Sequence, residues 1–182
     1  MNRILINRIP FIARKSTRPG YLSVLFKLNH FQVFDIDTKY DINKLYLDQS
    51  YKTIQNILVQ NKGSDEEERH YLNFLNNYVN DAYYTLKNDY SRSAYLLSLK
   101  GVTIKEDETF SNYIEIENLL NELENTSELQ SLKERVNERI EEIKLEYNKY
   151  LENNDLLKAK EKAVLLYYYI DIDNQIYYKI NE

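Results

Sequence analysis

Residues that break helices are scarce in this chain, and their scarcity limits the fold more than any other feature. The 182 residues include only three glycines and two prolines, and residues 102–182 contain neither. Tight turns depend on glycine and proline, whereas the abundant Leu, Lys and Glu favour helices. From about residue 31 to the end, apolar residues recur every three or four positions. We therefore predict an all-α protein.

The composition also excludes most enzyme classes that can be recognised from sequence. The chain has no cysteine, two histidines and three glycines. Without cysteine it has no thiolate to bind a metal or to act as a nucleophile. Two histidines are too few for most zinc centres, and three glycines are too few for the glycine-rich loops that bind phosphates. We predict no enzymatic activity, no cofactor and no metal site. We expect His30 to lie at a helix start and His70 in an exposed first turn rich in carboxylates.

Charge and hydropathy narrow the choice of partners. The 29 acidic residues outnumber the 24 lysines and arginines, which gives a formal net charge of −5. This balance argues against nucleic-acid binding, because such binding depends on a basic field. No apolar run reaches the roughly 18–20 residues that span a bilayer. We expect protein partners, no nucleic acid and no membrane-spanning segment.

The N-terminal segment, residues 1–29, differs in charge from the rest of the chain. It holds six basic residues and no acidic one, interspersed with apolar residues. This composition is typical of a mitochondrial targeting segment. The alternative is a basic arm that packs on a partner or on the chain's own acidic helices. Pro10 and Pro19 would keep any helix in this segment short.

Two helical units are predicted after this arm, over residues 30–101 and 102–182. The first contains a helix capped by Asp41, a second helix that starts with a capping box at Ser64, and a shorter helix that stops at Gly101. The second unit has the pattern of an antiparallel three-helix bundle, with a capping box at Ser127 and a tight turn at residues 153–154.

Two sequence runs in the first unit carry a resemblance to a known family. Residues 79–86 read VNDAYYTL, and residues 95–101 read YLLSLKG. They resemble the end of the J-domain in HscB-type co-chaperones of iron–sulfur cluster biogenesis. The resemblance extends over about residues 30–182 and is architectural beyond residue 110. It implies a J-domain-like helical hairpin followed by an antiparallel three-helix bundle that binds the cluster scaffold.

The chain departs from that family at the motif that defines active J-domains. In the register of the resemblance, the family's His-Pro-Asp-Lys falls on Val59, Gln60, Asn61 and Lys62. In J-domains this turn triggers ATP hydrolysis by the seventy-kilodalton heat-shock chaperone. The replacement removes an aromatic donor, a rigid turn and a carboxylate. The preceding helix is also close to neutral, and we predict that the chain does not stimulate a chaperone ATPase.

The first helix of the C-terminal bundle is where the family binds its scaffold protein. The residues of this chain that fall on or near the family's binding positions are Ile116, Glu117, Leu119, Leu120 and Leu123. Leu120 replaces an expected acid. The alternative is that the residues Ile116, Leu119 and Leu123 are simply core of the bundle.

Five tyrosines lie close together near the C-terminus, at positions 167–169 and 177–178. Neighbouring residues on a helix point about 100° apart, so these tyrosines cannot all enter one core. Exposed tyrosines are favoured at protein interfaces. The competing explanation is the codon bias of an AT-rich genome.

These observations lead to a functional expectation with one alternative. We expect a non-catalytic mitochondrial protein of the matrix, or of the matrix side of the inner membrane, derived from an HscB-type co-chaperone. It would serve as an accessory subunit of a larger assembly such as a respiratory-chain complex. The alternative is a working co-chaperone that binds the cluster scaffold and a heat-shock ATPase chaperone.

Overall fold

The computed structural model describes residues 28–60, 65–105, 114–125 and 127–181, so the basic arm lies almost wholly outside it. All regular structure in the described residues is helical, which confirms the predicted all-α class. The helices are α1 (His30–Val33), α2 (Lys44–Gln60), α3 (Glu66–Lys87), α4 (Asp89–Leu99), α5 (Ile114–Asn125), α6 (Leu129–Glu152) and α7 (Leu156–Asn181).

The chain divides into two compact units between Arg92 and Ser93, within α4. In the first unit, α1 and α2 both pack on α3. The buried residues of α3 recur at intervals of three or four positions, which places them on one face of the helix. They are Leu72, Leu75, Val79, Ala82 and Leu86. Phe31 and Phe34 of the N-terminal turn are fully buried in this unit.

The second unit is built around the antiparallel pair of α6 and α7. The core residues of α6 follow the same spacing and are Leu132, Val136, Ile140, Ile143, Tyr147 and Leu151. The hydroxyl of Tyr147 donates to the Ser93 carbonyl oxygen at 2.8 Å. Helix α5 packs on α7, and the Lys179 ammonium donates to the Leu123 carbonyl oxygen at 2.8 Å. This bond ties the end of α7 to the end of α5.

Several helix starts differ from the prediction. Asn43, not Asp41, caps α2, because its side-chain oxygen accepts from the Tyr46 amide at 3.0 Å. Asp65 caps α3 through a 2.8 Å bond from the Glu68 amide, and Ser64 lies outside the described residues. The predicted capping box at Ser127 is wrong, because α6 starts after Glu128 with no side-chain cap.

The predicted helix ends are confirmed. Gly101 has φ +80°, and its amide and that of Val102 donate back to α4 carbonyl oxygens. A left-handed residue at this position lets the last carbonyls of a helix find donors, and glycine adopts it without strain. The turn between α6 and α7 contains Asn154 at φ +56°, and Asp155 then caps α7. In the part of the chain that the structure describes, no helix is long and apolar enough to cross a membrane.

Candidate functional site

The predicted J motif falls at the C-terminal end of α2. Val59 and Gln60 are the last two residues of this helix, and the Val59 side chain is 74% exposed. Asn61 and Lys62 lie outside the described residues. Leu58 is buried in the core of the first unit, whereas Val59 and Gln60 are exposed and accessible to a partner. The helix therefore continues through the first two positions of the predicted motif.

A groove of about 410 Å³ lies beside these residues, between the end of α2 and the start of α3. Its lining combines apolar side chains with amide groups and one guanidinium. The lining residues are Gln55, Leu58, Val59, Arg69, Leu72, Asn73 and Asn76. Such a mixture can form hydrogen bonds with a peptide backbone, but it provides no acid, base or nucleophile for chemistry.

Ion pairs neutralise much of the charge along α2. The Lys44 ammonium lies 2.6 Å from an Asp89 oxygen, and the Lys87 ammonium lies 2.6 Å from an Asp48 oxygen. The hydrogen bond from Lys87 lowers the pKa of Asp48, and the same bond raises the pKa of Lys87. Lys52 adds one exposed positive charge. Asp89 also pairs with the buried Arg92. Three lysines and one arginine thus face two aspartates, which leaves a small positive charge for steering an acidic partner.

A tyrosine pair between α2 and α3 is part of the same surface, and sequence reasoning missed it. The rings of Tyr51 and Tyr83 stack with centroids 4.0 Å apart and planes 14° apart. The Tyr51 hydroxyl and the Gln55 amide both donate to Asn80 Oδ1, at 3.0 and 2.8 Å. The Tyr83 hydroxyl donates to Asp48 at 3.0 Å. These contacts fix the two helices relative to each other.

The predicted scaffold-binding residues on α5 separate into two groups. Ile116 and Leu123 are 5% and 2% exposed, so they belong to the core, as the packing alternative expects. Leu119 is half-buried and Leu120 is 38% exposed, so both are accessible to a partner. The side chain of Glu117 lies outside the described residues.

The clustered tyrosines of α7 also separate by burial. Tyr169 is 2% exposed and packs in the core of the second unit. Three of the remaining tyrosines are exposed, namely Tyr167 at 48%, Tyr177 at 53% and Tyr178 at 67%. The prediction that these side chains do not share one core is confirmed.

The two histidines differ in environment. His30 is the first residue of α1; its Nε2 lies 3.6 Å from an Asp81 oxygen, and its ring contacts the Tyr78 ring edge to face. Burial lowers the pKa of His30, while Asp81 acts in the opposite direction. His70 and Glu66 are exposed in the first turn of α3, as expected.

A pH dependence of stability follows from His30. Its pKa in the folded state lies below the reference value of 6.5, so the unfolded chain binds more protons near that pH. The free energy of unfolding should therefore be highest above pH 6.5, where His30 is neutral in both states. It should decrease as the pH falls from 6.5 towards the lower pKa of the folded state. We expect His30→Gln to lose less stability than the wild type between about pH 7.5 and about pH 5.5 in urea unfolding. An equal loss in both proteins would contradict this.

The sequence of this chain is similar to those of several known proteins. Residues 108–177 match the model of the HSCB C-terminal oligomerisation domain. The iron-sulfur cluster co-chaperone protein HscB homolog of Arabidopsis thaliana is 28% identical over 125 residues, which cover 63% of this chain and 49% of that protein. The co-chaperone protein HscB homolog of Acinetobacter baylyi is 26% identical over 155 residues, covering 82% of this chain and 89% of that one.

A solved structure shows the same fold. The crystal structure of human co-chaperone protein HscB aligns with a TM-score of 0.78 at 24% identity, covering 84% of this chain and 82% of that one. The predicted J-domain region with a C-terminal helical domain is thereby confirmed. The comparisons support the similarity to HscB-type co-chaperones that the YLLSLKG run indicates, whereas the loss of the His-Pro-Asp motif stays a prediction. The chain is thus similar in sequence and in fold to HscB co-chaperones, and its residues 108–177 match the HSCB C-terminal domain.

Proposed function

We propose that this chain is a non-catalytic, HscB-type co-chaperone of iron–sulfur cluster biogenesis. The observation that carries the proposal is the HSCB C-terminal domain match over residues 108–177, together with relatives named as HscB co-chaperones. These relatives support the predicted alternative over the main expectation, because nothing in them points to an accessory subunit of a respiratory-chain complex.

The second unit is proposed to bind the cluster scaffold protein through α5. This assigns scaffold binding to the predicted domain 102–182, while the predicted domain 30–101 is a degenerate J-domain. Leu119 and Leu120 support it, because their side chains are accessible beside a buried row that holds the helix in place. The Arg135 guanidinium of α6 forms an ion pair with Glu122 of α5, which further orients the helix. An accessible apolar side chain on a well-fixed helix gains free energy when a partner buries it.

The first unit is proposed to lack the trigger for chaperone ATP hydrolysis. Two observations support this. The sequence contains no His-Pro-Asp tripeptide, since His30 precedes Phe31 and His70 precedes Tyr71. Lys44 of α2 pairs with Asp89, and Asp48 of α2 pairs with Lys87 of α3, so the positive field left along α2 for an acidic chaperone surface is weak. In this proposal the chain delivers or holds the scaffold without driving the ATPase cycle through its loop.

Mitochondrial residence is part of the proposal and depends on the basic, acid-free residues 1–29. Similar proteins occur in both a plant and a bacterium, so similarity alone does not select a compartment.

Binding to the scaffold tests the proposal. We expect the full chain to bind the purified cluster scaffold protein in isothermal titration calorimetry. Leu120→Arg should weaken that binding by about tenfold or more, because a charge would replace an apolar anchor. The matched control is Leu145→Arg, since Leu145 is 73% exposed on α6. An absence of binding by the wild type contradicts the proposed function, and equal effects of the two variants contradict the role of α5.

A further inference from the structure

One side of α3 carries a row of aromatic and acidic side chains that the proposed function does not use. They recur at intervals of four and three residues, which sets them along one side of the helix. We call these residues the α3 stripe, and they are Glu67, Tyr71, Phe74, Tyr78 and Asp81. Phe74 is 42% exposed, and Glu67 is also exposed. The stripe therefore presents apolar surface next to negative charge.

The chain that precedes α1 contacts one end of this stripe. The His30 Nε2 lies 3.6 Å from an Asp81 oxygen, and the Leu28 carbonyl oxygen accepts a 2.6 Å hydrogen bond from the Tyr78 hydroxyl. From His30 back to Leu28, the chain thus moves from Asp81 to Tyr78, which is towards the start of α3. The segment before Leu28 is therefore tethered beside Tyr78, with Phe74 the next residue of the stripe.

We propose that residues 21–27 bind the α3 stripe as an extended segment that runs from Leu28 towards the first turn of α3. An extended chain rises about 3.3 Å per residue, and an α-helix rises about 1.5 Å. The five steps from Leu28 back to Ser23 therefore span about 16 Å, and so do the eleven steps from Tyr78 back to Glu67. In this register Ser23 lies beside Glu67.

The composition of the segment matches the stripe. Six of the eight residues 21–28 are apolar or aromatic. Alternate residues of an extended segment point to one side. The residues that share a side here are Leu22, Val24, Phe26 and Leu28. Binding buries this side against the aromatic rings of the stripe, so apolar surface is removed from water on both partners.

The Tyr71 hydroxyl, in the middle of the stripe, supports the same arrangement. It is buried, and within the described residues it has no hydrogen-bond partner. Burial raises the pKa of Tyr71, so its hydroxyl stays protonated and able to donate. Buried polar groups are normally paired. A backbone carbonyl oxygen of the extended segment would accept from Tyr71, as the Leu28 carbonyl oxygen accepts from Tyr78.

Charge and connectivity favour the chain's own segment over a separate partner. Residues 1–27 contain six basic residues and no acidic one, and the first turn of α3 contains three glutamates. Residues 19–20 are Pro-Gly, which favours a turn that would bring Arg18 back to these glutamates. The tether at Leu28 also raises the local concentration of the segment. This binding leaves the proposed targeting role to residues 1–20.

Disulfide formation in the full chain tests this contact, because the chain has no cysteine of its own. Ser23→Cys is combined with Glu67→Cys, and the effective concentration of the two thiols is measured by equilibration with glutathione. The matched control combines Ser23→Cys with Arg69→Cys. Arg69 lies about 160° from Glu67 around α3 and about 3 Å from it along the helix axis. The Glu67 pair should have an effective concentration about tenfold or more above that of the control.

A positive charge on the stripe should release the segment. Added to the Glu67 pair, Phe74→Lys should lower the effective concentration to that of the control pair, because an ammonium replaces an apolar contact and repels a basic segment. Asn73→Lys, at the exposed neighbouring position, should leave it unchanged. Circular dichroism shows that each variant keeps its helices. Equal effective concentrations for the two pairs, no effect of Phe74→Lys, or disulfides that join two chains instead of closing within one would overturn the proposal.

Discussion

Replacing Arg92 by methionine is expected to lower the free energy of unfolding of the first unit by about 3 kcal/mol. The guanidinium is 4% exposed and lies 4.7 Å from the centre of the Tyr40 ring. It donates to the Tyr40 carbonyl oxygen at 2.8 Å, to the Leu86 carbonyl oxygen at 2.6 Å and to the Asp89 carboxylate at 2.6 Å. Methionine fills much of the volume but leaves the Tyr40 and Leu86 carbonyl oxygens without this donor, while Asp89 keeps Lys44.

The control for this prediction is the exposed Arg69→Met, which should change stability by less than about 0.5 kcal/mol. Arg92→Lys should recover little, because a point charge cannot reach three acceptors in the fixed directions of a guanidinium. Urea unfolding followed by circular dichroism gives the overall change, and amide exchange by NMR assigns it to residues 28–92. A loss below about 1 kcal/mol for Arg92→Met would show that water or neighbouring donors satisfy the acceptors.

The helices follow well from the sequence, because helical periodicity is a local signal. The spacing of Leu72, Leu75 and Val79 is enough to predict the buried face of α3, and all three side chains are buried there. Helix caps are less predictable, since several capable residues often stand side by side. Asp41 and Asn43 both suit the start of α2, and the backbone geometry selects Asn43.

The surfaces depend on contacts between distant residues and are harder to predict. From the sequence, Asp48 is expected to offset lysines on its own helix, whereas its carboxylate pairs with Lys87, 39 residues away. The Tyr51 and Tyr83 stack depends on the register of two helices, for which the sequence carries no local signal. On α5, periodicity leaves both the core and the partner-binding interpretations open, and tertiary packing separates Leu123 from Leu120.

The wild-type chain is expected to stimulate the ATP hydrolysis of its partner heat-shock chaperone to at most about a tenth of the level given by a co-chaperone that carries His-Pro-Asp. Loss of one member of a buried charged contact costs about 2–5 kcal/mol of interaction, which is enough for an effect of this size. The stimulation is measured as the rate of single-turnover ATP hydrolysis by the purified chaperone with and without the full chain. Stimulation by the wild type equal to that of the reference would contradict the prediction.

The triple substitution Val59→His, Gln60→Pro and Asn61→Asp should raise that stimulation severalfold. Proline at position 60 lacks the amide of a helical residue and disfavours helix at position 59, so α2 should end earlier and present the new side chains in a turn. The matched control replaces the same three residues by alanine, which keeps the helix and supplies no trigger. If the alanine variant loses stimulation that the wild type possesses, then Val59, Gln60 and Asn61 themselves act on the chaperone. Scaffold binding should be equal in all three proteins, because Leu120 belongs to the other unit.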